Sequence, residues 1–113
     1  MLSFFLELAG SLVAPDRCAA CDAPVRMRAV FCPPCASSTL EASHEKGCLA
    51  AFLYGGAIAR SIARFKYEGR SDLARPLSSL LLRTAPRLAA LSPEIAIPVP
   101  MHPLRLEIGR AHV

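Results

Sequence analysis

The sequence has no apolar run long enough to cross a bilayer, and no basic residues precede its N-terminal apolar stretch. A spanning helix needs about 20 apolar residues, whereas residues 1–14 fall short and carry Glu7 inside the stretch. A secretory signal starts with a basic segment, which is missing here. No membrane span and no export are therefore expected, which implies a reducing, cytoplasmic setting in which paired cysteines serve as metal ligands in preference to disulfides. A long block of one charge is also lacking. Lys and Arg number 13 against 9 Asp and Glu, a formal charge of +4, and they are scattered along the chain. That balance suits anionic partners such as nucleic acid or phosphorylated small molecules, and an ordinary solvated surface equally well. No internal repeat is present beyond two Cys-x-x-Cys pairs.

The 113 residues have room for one modest domain, or for a small module joined to part of a larger one. A hydrophobic fraction of 53% is high for a chain this short, so some apolar surface is expected to face a neighbour or further chain. In residues 1–14, Leu2, Phe5, Leu8 and Leu12 recur at helical spacing and predict an amphipathic helix. Residues 15–38 are rich in Cys, Pro and small side chains, a composition that cannot bury enough apolar area to fold without help. Residues 41–47 are polar and read as a linker, so a metal-held ribbon over the Cys-rich stretch and this linker together occupy 15–47. Residues 48–54 form a short apolar run closed by Gly55 and Gly56, consistent with a buried strand that holds Cys48 as a small hydrophobe.

Helical spacing returns in 57–67, with Ile58, Ile62 and Phe65 on one face and Arg60, Arg64 and Lys66 off it. Ser71 or Asp72 can cap a following helix striped by Leu73, Leu77, Leu80 and Leu81. Pro76 requires that helix to restart or kink. Pro86 and Pro93 punctuate the way to 94–100, whose alternating β-branched residues predict a strand running into a loop.

Chemistry concentrates at Cys18-x-x-Cys21 and Cys32-x-x-Cys35, separated by ten residues. Two residues between thiolates let one tight turn present both sulfurs to the same ion, and two such turns complete a tetrahedron. Such a site is closed and therefore structural, and its binding energy is folding energy for the ribbon. Disulfides would need an oxidising compartment, and an iron–sulfur cluster would need a sign of electron transfer. A dithiol redox site at Cys32-Pro33-Pro34-Cys35 would need a βαβ setting that is missing. Zinc is the expected ion. Pro33 and Pro34 lack N–H groups, so the second turn offers its thiolates fewer backbone donors than the first.

Two further segments carry charge in an ordered way. Residues 64–70 place Arg64, Lys66 and Arg70 around a helix end, where the dipole favours cations; phosphate or nucleic-acid binding is the second reading. In 97–105, prolines on both sides of Val99 stop sheet pairing, and His102 and Arg105 follow. The loop beyond a strand's carboxyl end is where open α/β sheets bind ligands, and there these two residues would meet an anionic group; a stiff surface loop without a ligand is an equal reading.

Taken together, these motifs resemble the ComF family, a zinc ribbon joined to a type I phosphoribosyltransferase-like domain. The resemblance covers residues 1 to about 106. It rests on the combination of the Cys pairs with Phe65-Lys66-Tyr67-x-Gly69-Arg70 and Pro98-Val99-Pro100-x-His102-Pro103-x-Arg105. It implies an α/β fold in which a small four-cysteine ribbon precedes the truncated start of a phosphoribosyltransferase-like domain at 48–106. It also implies a cytoplasmic protein linked to competence and DNA uptake. Residues 98–105 would lie near the diphosphate of phosphoribosyl diphosphate, and Lys66 in the family's basic motif. Magnesium with that ligand is implied for the full-length protein only. Two departures follow. After Pro-Val-Pro-x-His-Pro the family continues with Arg-x-Arg-Gly-Phe-Asn-Gln, whereas here residues 106–113 read Leu-Glu-Ile-Gly-Arg-Ala-His-Val. The acidic Asp-Asp…Thr-Thr-Gly loop that holds the ribose and 5′-phosphate is not in the sequence, so this polypeptide is expected to lack transferase activity. Its final six residues are what ATC GGA AGA GCA CAC GTC encodes, the sequence of a widely used library adapter. Residues 107–113 are accordingly expected to be a non-native tail. A free-standing zinc ribbon that binds nucleic acid or a protein partner is the alternative, against which the open sheet edge of a partial α/β domain argues.

Overall fold

A computed structural model describes residues 15–45 and 47–100, together with residues 1–3, 6, 9 and 103. The expected N-terminal helix, with Phe5, Leu8 and Leu12, falls almost wholly outside the described residues. So do His102, Arg105 and the tail at 107–113.

Residues 15–39 fold as two tight turns laid against each other. The first is closed by Asp22 N–H donating to Cys18 O at 2.9 Å, and Cys18 N–H donates to Ala23 O at 2.8 Å. Asp22 sits at φ 64°, a left-handed conformation that Asp tolerates better than most residues. Asp16 ties the loop between the cysteine pairs. Its carbonyl accepts from Val25 N–H at 2.9 Å, and its Oδ2 accepts from Arg28 N–H at 3.0 Å. The second turn runs into helix α1 (Pro33–Ala36), where the prolines occupy first-turn positions whose N–H groups have no helical partner in any case.

Residues 41–47 are not a free linker. Leu53 N–H donates to Leu40 O at 2.8 Å and Ala42 N–H to Ala51 O at 3.3 Å, with Glu41 opposite Phe52 and Glu45 opposite Cys48. The apolar run at 48–54 therefore turns back on the polar segment before it, through Gly47 at φ 83°. It is not a buried strand, and Cys48 is exposed. Among the described residues the backbone pairings amount to isolated bridges, and no extended strand forms. Residues 94–100, expected as a strand, have no ladder partner among the described residues and lie exposed. Pro98 and Pro100 lack the N–H groups that a ladder would use.

Helix α2 (Gly56–Tyr67) is where the expected helix lies, but its buried side is made by Ala57, Ile58 and Ser61. Ile62 and Phe65 are only partly covered. Its start is set by a close approach. Gly56 has φ +49°, and a Cβ built on it would lie 2.5 Å from Ser38 O. Gly56→Ala should therefore cost about 2 kcal/mol or more, read as a lowered urea midpoint with unchanged slope. The same substitution at Gly55, where nothing lies within 4 Å of the added carbon, should cost less.

A 3-10 turn (Ser71–Leu73) leads into α3 (Ala74–Leu81), and a second such turn (Leu82–Thr84) into α4 (Ala85–Ala90). Neither Ser71 nor Asp72 caps α3. The tight turn moves the helix start to Ala74, which puts Pro76 in the first turn, where its missing N–H costs no hydrogen bond. Pro86 likewise begins a helix, not a break. Leu73 and Leu80 of the predicted stripe are buried, whereas Leu81 is exposed.

Candidate metal centre

Cys18, Cys21, Cys32 and Cys35 come together with their sulfurs all within 4.8 Å of one another. The Sγ atoms of Cys21 and Cys32 are 3.6 Å apart. A tetrahedral zinc–thiolate site, with each sulfur about 2.3 Å from the ion, sets its sulfurs about 3.8 Å apart. A disulfide would bring them to about 2.0 Å, so these are free thiols arranged as a ligand set. Cys18, Cys32 and Cys35 are buried and Cys21 is exposed at one edge. Cys48 is outside the group. Among the described residues the donor set is therefore four sulfurs without a histidine or carboxylate, a chemistry that suits zinc, or iron in a cluster.

The two turns treat their sulfurs differently. Burial pushes the Cys18 thiol up, but backbone N–H groups of Cys32, Ala20 and Cys21 more than offset this, and the thiol falls to about 6. Burial dominates at Cys35, where the neighbouring sulfurs of Cys32, Cys21 and Cys18 also help to hold the proton, and the thiol is raised. Pro33 and Pro34 contribute no N–H to this second turn, which agrees with the shortage of donors read from the sequence.

Helix α2 clasps both turns. At its start, Ser38 Oγ accepts from Ala57 N–H at 3.0 Å and donates to Cys35 O at 2.7 Å. Ala57 packs into the cluster formed by Cys18, Ala20, Cys32 and Cys35. At its far end, Arg64 donates to Ala19 O at 2.9 Å and is ion-paired with Asp22. Arg70 reaches the same carboxylate at 3.2 Å and holds Asp72 at 2.8 Å. Partial desolvation would raise the Asp22 carboxyl, but the hydrogen bonds and charges of Arg64 and Arg70 hold it below the usual carboxylate range.

Arg64 was expected off the packed face and is instead the contact between helix and ribbon. Asp22 and Ser38 carried no such expectation. The position of Asp22 directly after a Cys-x-x-Cys turn was the available signal, but its partners lie more than 40 residues away. Lys66 is exposed on the last turn of α2. No family model, no curated protein and no solved structure matches the chain. No helix among the described residues is long and apolar enough to cross a membrane.

Proposed function

We propose that the four cysteines hold one structural zinc ion, and that the chain is the ribbon and opening segment of a ComF-like phosphoribosyltransferase-family protein. The convergence of four sulfurs within 4.8 Å carries the metal reading. The core around them supports zinc in a folding role. It consists of cysteines and alanines, with Ala23, Val25 and Phe31 packed at its edge, too little apolar area to hold two turns together. A closed site of this kind has no open position for water and performs no chemistry of its own.

The family reading rests on the Lys66-Tyr67-x-Gly69-Arg70 and Pro98-Val99-Pro100-x-His102-Pro103 motifs standing in order behind the cysteine pairs. In that reading Lys66, His102 and Arg105 serve phosphoribosyl diphosphate, with magnesium, in the full-length cytoplasmic protein. The role in DNA uptake belongs to that protein. Calorimetry with phosphoribosyl diphosphate tests it. The full-length gene product should bind and this chain should not; failure of the full-length product to bind would overturn the family reading. Metal analysis separately tests the ion, with about one zinc per chain expected and iron in its place the result that would overturn it.

A further inference from the structure

A cavity of about 350 Å3 opens on the side of the ribbon where it meets the end of α3. Its wall includes Arg28 and Phe31 from the loop between the cysteine pairs, Thr39 after α1, Phe52 from the turned-back segment, and Ser79 and Arg83 from the end of α3 and beyond. That volume lies at the lower end of small-molecule sites, roughly 300–1,000 Å3. Among the described residues the lining contains two arginines and no acidic residue. The Arg83 guanidinium stands 5.8 Å from the centre of the Phe52 ring, within cation–π range, which leaves its N–H donors unused by that contact. Thr39 and Ser79 spend their hydroxyl protons on the carbonyls of Ala36 and Pro76, at 2.7 and 2.6 Å. Their oxygens therefore present lone pairs as acceptors.

Cationic donors, two aromatic rings and hydroxyl acceptors in a space this size define a ligand that joins an anion to a flat ring carrying its own donors. We propose that this cavity binds a nucleoside monophosphate unit, its phosphate at Arg83 and its base beside Phe31 and Phe52. The site does not depend on the family reading, because its residues lie outside the motifs that carry it. The unit could arrive as a free nucleotide or within a single strand, and the two sources share this chemistry.

The test is an amide NMR titration of the metal-loaded full chain with adenosine monophosphate, adenosine, inorganic phosphate and a short single-stranded oligonucleotide. The monophosphate should shift the amides of Phe31, Thr39, Phe52 and Leu80, and should bind more tightly than adenosine or phosphate alone. Arg83→Ala should weaken it about ten-fold or more, the loss of one charge-assisted contact. If the oligonucleotide moves the same amides at lower concentration, the site takes the unit from a strand. Silent cavity amides with both nucleotide ligands would overturn the proposal, as would unchanged affinity in Arg83→Ala. Should that variant lose its metal or its helices, Arg83→Gln replaces it, because glutamine keeps a long polar side chain at the position without the charge. It too should bind more weakly, and unchanged affinity there is equally fatal.

Discussion

Cys18→Ser should abolish metal binding and unfold residues 15–39 together. Cys18 is wholly buried at the centre of the cysteine cluster and receives backbone N–H groups from both turns. Serine at that position offers a hard hydroxyl that stays protonated and is a poor zinc ligand. Zinc binding to such peptides is worth on the order of 10–16 kcal/mol, and in a ribbon that is unfolded without metal this is the folding energy. Zinc per chain should drop from about one to background, and the amide signals of the ribbon should collapse to unfolded positions. A chelator in excess should do the same to the unaltered chain, and acid should do so reversibly, because protons compete for the thiolates. A ribbon that stays folded without metal would refute the structural role. Cys48→Ser is the control; its side chain is exposed and outside the cluster, so zinc content should not change.

The second large effect is expected at Arg64. Its side chain is only 12% exposed, and it bonds both Ala19 O and the Asp22 carboxylate across the gap between helix and ribbon. Arg64→Ala deletes a charge-assisted pair of contacts and leaves a buried carbonyl without that donor, a loss of about 2–3 kcal/mol in urea unfolding. Arg64→Lys should recover little, since a single ammonium cannot span a carbonyl and a carboxylate in the geometry a guanidinium allows. Hydrogen exchange at the end of α2 and in the first cysteine turn should rise in parallel, while zinc remains bound. Equal stability of Arg64→Ala and the unaltered chain would show that the pair is incidental. Asp22→Asn should loosen the same contact, because it removes the charge shared by Arg64 and Arg70.

Much of the metal centre was legible in the linear sequence. Two residues between cysteines allow a single turn to aim both sulfurs at one point, a local property that needs no knowledge of the fold. The shortage of N–H donors in Cys32-Pro33-Pro34-Cys35 is local in the same way, since proline lacks the group. Helix α2 was legible in its extent, because its apolar period and the glycines before it are short-range signals. Its orientation was not. Arg64 read as a solvent-side cation by hydropathy, yet Asp22 and Ala19, brought close by the folded ribbon, give its charge a partner.

The strands at 48–54 and 94–100 were misread for a related reason. An apolar or alternating run is a strand only if another segment supplies a ladder, and the described residues supply a brief pairing for the first and none for the second. By itself, then, the sequence determined which four cysteines come together and the placement of the α2 helix, both of which depend on neighbours a few residues apart. Tertiary structure decided that α2 clasps both cysteine turns through Ser38 and Arg64, and that a basic cavity forms where the ribbon meets α3. Those features join residues distant along the chain, and no local spacing rule encodes which charge meets which.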